Sequence, residues 1–316
     1  MKLNLYQKTA LTTVIATIVL ILIGGLVRAA GAGLGCPDWP QCFGMWIPPL
    51  NAADLPPQYD ASLFNPLHTW LEYINRLVGV LIGFLITLTF VFSFKYRKTD
   101  FIVTIASGFA FILVLFQGWL GGQVVRSGLS AGMITIHMVV AMIILGTLLF
   151  ATFRAMSSRL SISVSDTTKR KLLWISGIIL FLTLLQLILG TQVRESVDVA
   201  KNVMVLPRSA WIDTVGWLYD VHRSFSWLLV IFAGVLIFYN EKLDVPDRLR
   251  LIGWVISGLI VLQIFIGVGM EWFDMPGVLQ VMHLVSVAIL ICAELLYILI
   301  TGFASTNKMQ PAGRGS

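Results

Sequence analysis

The stretch that decides the fold runs from Trp70 to Phe94, WLEYINRLVGVLIGFLITLTFVFSF. Glu72, Asn75 and Arg76 gather near its start, and from Leu77 to Phe94 no charge interrupts it. A bilayer core about 30 Å thick is crossed by a helix of about 20 apolar residues, a length that this stretch meets. Seven more read the same way, at roughly 10–28, 101–121, 133–153, 172–192, 217–239, 251–270 and 278–302. None shows the in–out alternation of a membrane barrel strand. The predicted fold is therefore an all-α integral membrane protein of eight transmembrane helices. The first stretch runs into Arg28 and a Gly-rich segment, with no A-x-A-like site, and is read as retained.

Composition agrees. Hydrophobic residues make up 57% of the 316 and charged residues 12%, about half the charged share of a typical soluble domain, roughly 25%. The net charge of +6 invites a nucleic-acid partner, but the placement of the charges points to the lipid bilayer instead. Of 22 Lys and Arg, 15 lie at the N- and C-terminal ends and in alternate connections, among them Lys95, Arg97, Lys169, Arg170, Lys308 and Arg314. The other side holds Arg28, Arg126, Arg194, Lys201 and Arg208. The positive-inside rule places both termini in the cytoplasm of a multi-pass cell-membrane protein. Cys36 and Cys42 fall in the first external connection and Cys292 within the last span. A close pair on the oxidising side reads as a disulfide in preference to a metal site, which would need further ligands.

The chain repeats itself. Gly24-Gly25-Leu26-Val27-Arg28 matches Gly190-Thr191-Gln192-Val193-Arg194, and Asn75-Arg76 matches His222-Arg223. Gln117 to Gly121 matches Gln263 to Gly267, and His137 matches His283. The first match is offset by 166 residues (194 − 28), the second by 147 (222 − 75) and the others by 146 (263 − 117; 283 − 137). The drop of 19 (166 − 147) places an insertion between the first two helices. Each half has an even number of spans, so the halves share one orientation, the parallel-repeat case. The expected organisation is an N-terminal four-helix half, 1–160, with an external cysteine loop at 29–68, and a C-terminal half, 161–316. Both are expected to be pseudo-symmetric four-helix bundles.

The repeat places two facing positions per half near the extracytoplasmic side: Asn75 with His137, and His222 with His283. Two histidines facing across a four-helix bundle can hold haem iron. Arg76, Arg223, Arg28 and Arg194 are then candidate partners of haem propionates, because cations at such depth are costly alone. The blander reading for Arg28 and Arg194 is interfacial snorkelling. Glu72 shares a face with Asn75 one turn away and could accept a proton or stabilise a developing cation. Its blander reading is an ion pair with Arg76.

With these residues in view, the chain resembles the haem A synthase family. The Gly-Gly-x-Val-Arg ending, the Gly35-Cys36-Pro37-Asp38-Trp39-Pro40-Gln41-Cys42 loop, the Glu72-Tyr73-Ile74-Asn75-Arg76 stretch and the repeated halves carry the resemblance. It implies a haem b cofactor held by His222 and His283, flanked by Arg223 and Arg194. It implies haem O as substrate in the N-terminal half, at His137, Asn75, Arg76 and Arg28. There the C8 methyl would be oxidised to formyl, with Glu72 as the functional carboxylate and Cys36 and Cys42 as the loop cysteines. Haem O synthase and an electron donor are the implied partners, and a homo-oligomer stays open. This sequence departs from the family in having Asn75 where members usually carry His, so His137 would hold the substrate iron alone unless His68 substitutes. Two other readings remain: a haem b electron carrier or quinol oxidoreductase, and a haem-binding family member without catalysis.

Overall fold

The computed structural model describes residues 2–160 and 162–306, except the side chains of Leu63 and Asn202. Lys308 and Arg314, counted above for topology, lie outside the described residues. Among the described residues, eight helices are each long and apolar enough to cross a membrane: α1 (Leu5–Ala29), α2 (Pro66–Ser93), α3 (Phe101–Arg126), α4 (Ala131–Leu160), α5 (Asp166–Asn202), α6 (Trp217–Lys242), α7 (Asp247–Trp272) and α8 (Gly277–Gly302). The chain is an all-α, multi-pass membrane protein.

Local signals set the helix starts. Asn4 and Gln7 form a reciprocal capping box at α1. Asn65 accepts the His68 N–H with Pro66 in the first turn of α2, and Ser165 accepts the Thr168 N–H at α5. Helix α2 therefore begins before Trp70 and runs unbroken past His68.

Helix α5 departs from expectation. It does not stop at 192 but continues to Asn202, so the connection expected at 193–216 begins as helix. Hydropathy marks only where the apolar run ends, whereas helix formation continues through residues that favour it. The Arg194–Asp198 pair at 2.8 Å, spaced i,i+4, lies across this extension. Arg194 consequently lies inside the helix instead of capping its end.

The described residues form two compact units, 2–152 with 266–288, and 153–265 (without 161) with 289–306. These boundaries cut α4, α7 and α8, whereas the sequence repeat divides the chain at 160. In the first unit α1 packs on α2, and α2 on α3. Polar groups inside it are matched across helices: Thr13 with Thr89 at 3.0 Å, and Tyr6 with Ser107 at 2.9 Å. In the second unit α5 packs on α6 around a core that includes Leu236, Leu249, Ile256 and Leu290. There Tyr297 donates to Asn240 at 2.6 Å, and Thr183 to Glu294 at 2.7 Å. Large apolar side chains such as Phe84, Ile112, Phe181 and Phe265 are exposed. Lipid is the solvent such residues require, since helices in a bilayer satisfy their backbone internally and can show apolar faces outward.

Candidate functional site

Each candidate histidine sits near the start of its helix. His137 is six residues into α4, and His283 six residues into α8 (137 − 131; 283 − 277), so the repeat match holds in helix register. His222 is five residues into α6 (222 − 217), whereas Asn75 is nine into α2 (75 − 66).

Glycines seat these side chains. A Cβ at Gly190 of α5 would stand 3.2 Å from Cε1 of His222. At the matched Gly24 of α1 it would stand 3.8 Å from Oδ1 of Asn75. The two seats are thus alike, the second helix of each repeat placing its side chain against a glycine of the helix before it. His137 rests against Gly121 of α3, where a Cβ would stand 3.6 Å from its Cε1.

Glutamines steady the backbone at two of these positions. Gln117 donates to the His137 carbonyl at 2.9 Å and Gln186 to the His222 carbonyl at 2.6 Å. Nδ1 of His137, Nδ1 of His222 and Oδ1 of Asn75 are buried with no hydrogen-bond partner among the described residues. A buried polar atom without a partner costs about 1–3 kcal/mol, so these are places where a ligand or water would be stabilising. His137 and His222, each an imidazole in a glycine notch, are residues that could hold a haem iron. No group of three or more His, Cys, Asp or Glu suited to a bare metal ion occurs among the described residues.

The carboxylate and arginine of α2 face a different task. Cys36 and Cys42 are joined in a disulfide, and the loop they close is tied down to α2. Glu72 is buried. Its Oε2 accepts the Cys36 N–H at 2.9 Å, and its Oε1 is paired with Arg76, the bond from Nε being 3.1 Å. Nη1 of Arg76 donates to the carbonyls of Asp38 and Gln41, each at 2.8 Å, and Nη2 to that of Cys36 at 3.4 Å. Thr69 adds a bond to the Gly35 carbonyl at 2.8 Å. The ion pair foreseen as the blander reading of Glu72 is therefore present, and Arg76 turns toward loop carbonyls. Within the loop, Asp38 accepts the N–H groups of Phe43 and Gly44. Desolvation, reinforced by that carboxylate, raises the pKa of the Tyr59 phenol.

Arg223, the repeat mate of Arg76, is exposed, 3.5 Å from Asp220 and stacked over Tyr219. Arg28 lies in the last turn of α1. His68 is in the first turn of α2, and its backbone abuts Gly35 so closely that a Cβ there would clash with its carbonyl.

Sequence reading missed the seats. Gly24 and Gly190 were visible as matched helix ends, and their match to Asn75 and His222 was the available signal. Trp39 was missed as well: its indole packs on Gly122 of α3, where a Cβ would meet Cδ2 at 2.9 Å.

Fold and site together define a multi-pass membrane protein with repeat-related, glycine-seated side chains and a disulfide-closed loop clamped to one half. The chain belongs to the COX15-CtaA family of cytochrome oxidase assembly proteins, whose model matches residues 7–295. It is similar to the heme A synthase of Shewanella oneidensis, at 26% identity over 88% of this chain and 91% of that protein. The heme A synthase of Wolbachia sp. subsp. Brugia malayi is 24% identical over 85% of this chain and 88% of that protein. That of Alkalihalophilus pseudofirmus is 31% identical over 45% and 44%.

Proposed function

We propose that the chain is a haem A synthase, a membrane oxidoreductase that converts the C8 methyl of haem O to a formyl group. In this reading the termini are cytoplasmic and the haem sites lie toward the opposite side. Haem O synthase would supply the substrate, and a separate membrane donor the electrons.

The single observation that carries the reading is the contrast between two like seats, one filled by His222 and the other by Asn75. A substrate must enter and leave. An amide is a poor iron ligand, so His137 alone would hold haem O, and the weaker attachment suits exchange. In the C-terminal half His222 and His283, matched to Asn75 and His137 by the repeat, would hold haem b. When bound, that group would supply one-electron transfer. Gly190 leaves room for the His222 ring, and Gln186 fixes the turn of α6 that bears it. Glu72, with one oxygen on Arg76 and the other on the Cys36 N–H, would act on the N-terminal site through the loop it holds. Arg223 and Arg194 are the basic groups assigned to the haem b side, and Arg28 to the substrate side.

The test is pigment extraction from membranes in which the chain is produced beside a haem O synthase, in a host that makes no haem A. Haem A should appear and haem O should fall. Asn75 also favours a second reading, a family member that binds haem without oxidising it. Haem O left intact beside bound haem b would establish that reading or the electron-carrier one and remove the synthase.

A further inference from the structure

We propose that Trp39 forms a wall of the N-terminal haem O site and that the Glu72–Arg76 pair and the Cys36–Cys42 disulfide hold it there; this rests on the substrate reading above.

Trp39 and His137 meet α3 at consecutive residues. The imidazole packs on Gly121 and the indole on Gly122. A Cβ at Gly122 would lie 2.9, 3.0 and 3.3 Å from three indole carbons, so the notch depends on the missing side chain. Trp39 is half-buried, which leaves part of its surface uncovered. Its backbone is not free to drift. The carbonyl one residue before it (Asp38) and the one two residues after it (Gln41) both accept bonds from Nη1 of Arg76. The disulfide closes the same arc. Glu72 completes the clamp, with one oxygen on Arg76 and the other on the Cys36 N–H.

A largely covered cation held by three carbonyls and one carboxylate orients a loop. The side chain this loop delivers to α3, one residue along from the glycine that seats His137, is a flat aromatic. Such a ring complements the face or edge of a planar macrocycle. Trp39 is therefore the specificity element, and Glu72, Arg76 and the disulfide are positioning groups acting through it.

The test uses the full chain purified with its haem b, titrated with haem O by absorbance and assayed for turnover, as parent, Trp39→Ala, Trp39→Phe and Gly122→Ala. Trp39→Ala should weaken haem O binding and raise KM roughly tenfold, the loss of one good aromatic contact, with a smaller change in kcat. Gly122→Ala, which pushes the indole out of its notch, should do the same, and Trp39→Phe should recover most of the affinity. Haem b content and blocked thiols should match the parent throughout, which separates a lost wall from a lost fold. If Trp39→Ala and Gly122→Ala bind haem O as tightly as the parent, the wall is wrong while the substrate reading stands. A parent that takes up no haem O overturns both.

Discussion

Helices α2 and α6 carry the same pattern, Asn75-Arg76 and His222-Arg223, yet their arginines live differently. The Arg76 side chain is 14% exposed and engaged with Glu72 and three loop carbonyls. The Arg223 side chain is 53% exposed, with Asp220 and the face of Tyr219 for company. The insertion between the first two helices accounts for the contrast, because only the N-terminal half has a disulfide loop to present carbonyls. A repeat passes on backbone positions, and whatever loop lies above decides how the side chains are used.

The largest expected effects break or confirm the division of labour between the seats. His222→Ala should strip most low-spin haem b from the purified protein, as should His283→Ala. His137→Ala should leave that haem in place and end haem A formation. Visible spectra and pigment analysis on the same preparations decide it, and a parent-like spectrum from His222→Ala would remove the seat from the argument.

The next effect separates the arginines. Arg76→Ala leaves the buried Glu72 without its cation, a loss of about 3–5 kcal/mol for a broken buried pair. Arg223→Ala removes an exposed pair of about 0–1 kcal/mol. Thermal unfolding of both variants in one detergent should show a large fall in midpoint for the first and little for the second. Equal falls would mean that the loop clamp contributes nothing.

The smallest effect sharpens the seat comparison. Asn75→His should make the N-terminal seat resemble the C-terminal one, moving a bound N-terminal haem toward low spin and slowing its release. The readouts are the spin-state bands and the rate of haem transfer to an acceptor protein such as apomyoglobin. An unchanged spectrum would show that position 75 does not face the iron.

Much of this was legible beforehand. All eight spans lie where hydropathy put them, and the Asn65-Pro66 start of α2 is a cap that sequence rules describe. The Glu72–Arg76 pair followed from i,i+4 spacing. The continuation of α5 through Arg194 and Asp198 was not legible from hydropathy, since helix propensity does not end at a membrane boundary. Neither was the seating of Trp39 on Gly122, because a glycine inside a span looks the same whether it faces lipid or an indole.

What the sequence determined by itself was the number of spans, their charge asymmetry and the repeat that pairs Asn75 with His222 and His137 with His283. Those depend on transfer free energies and offsets, which each residue carries wherever the chain goes. Only the tertiary structure decided that Arg76 binds carbonyls 35, 38 and 40 residues away and that Trp39 packs on Gly122, one residue along α3 from the glycine that seats His137. Such contacts depend on where the loop comes to rest, and its resting place is set by packing against α2 and α3 together.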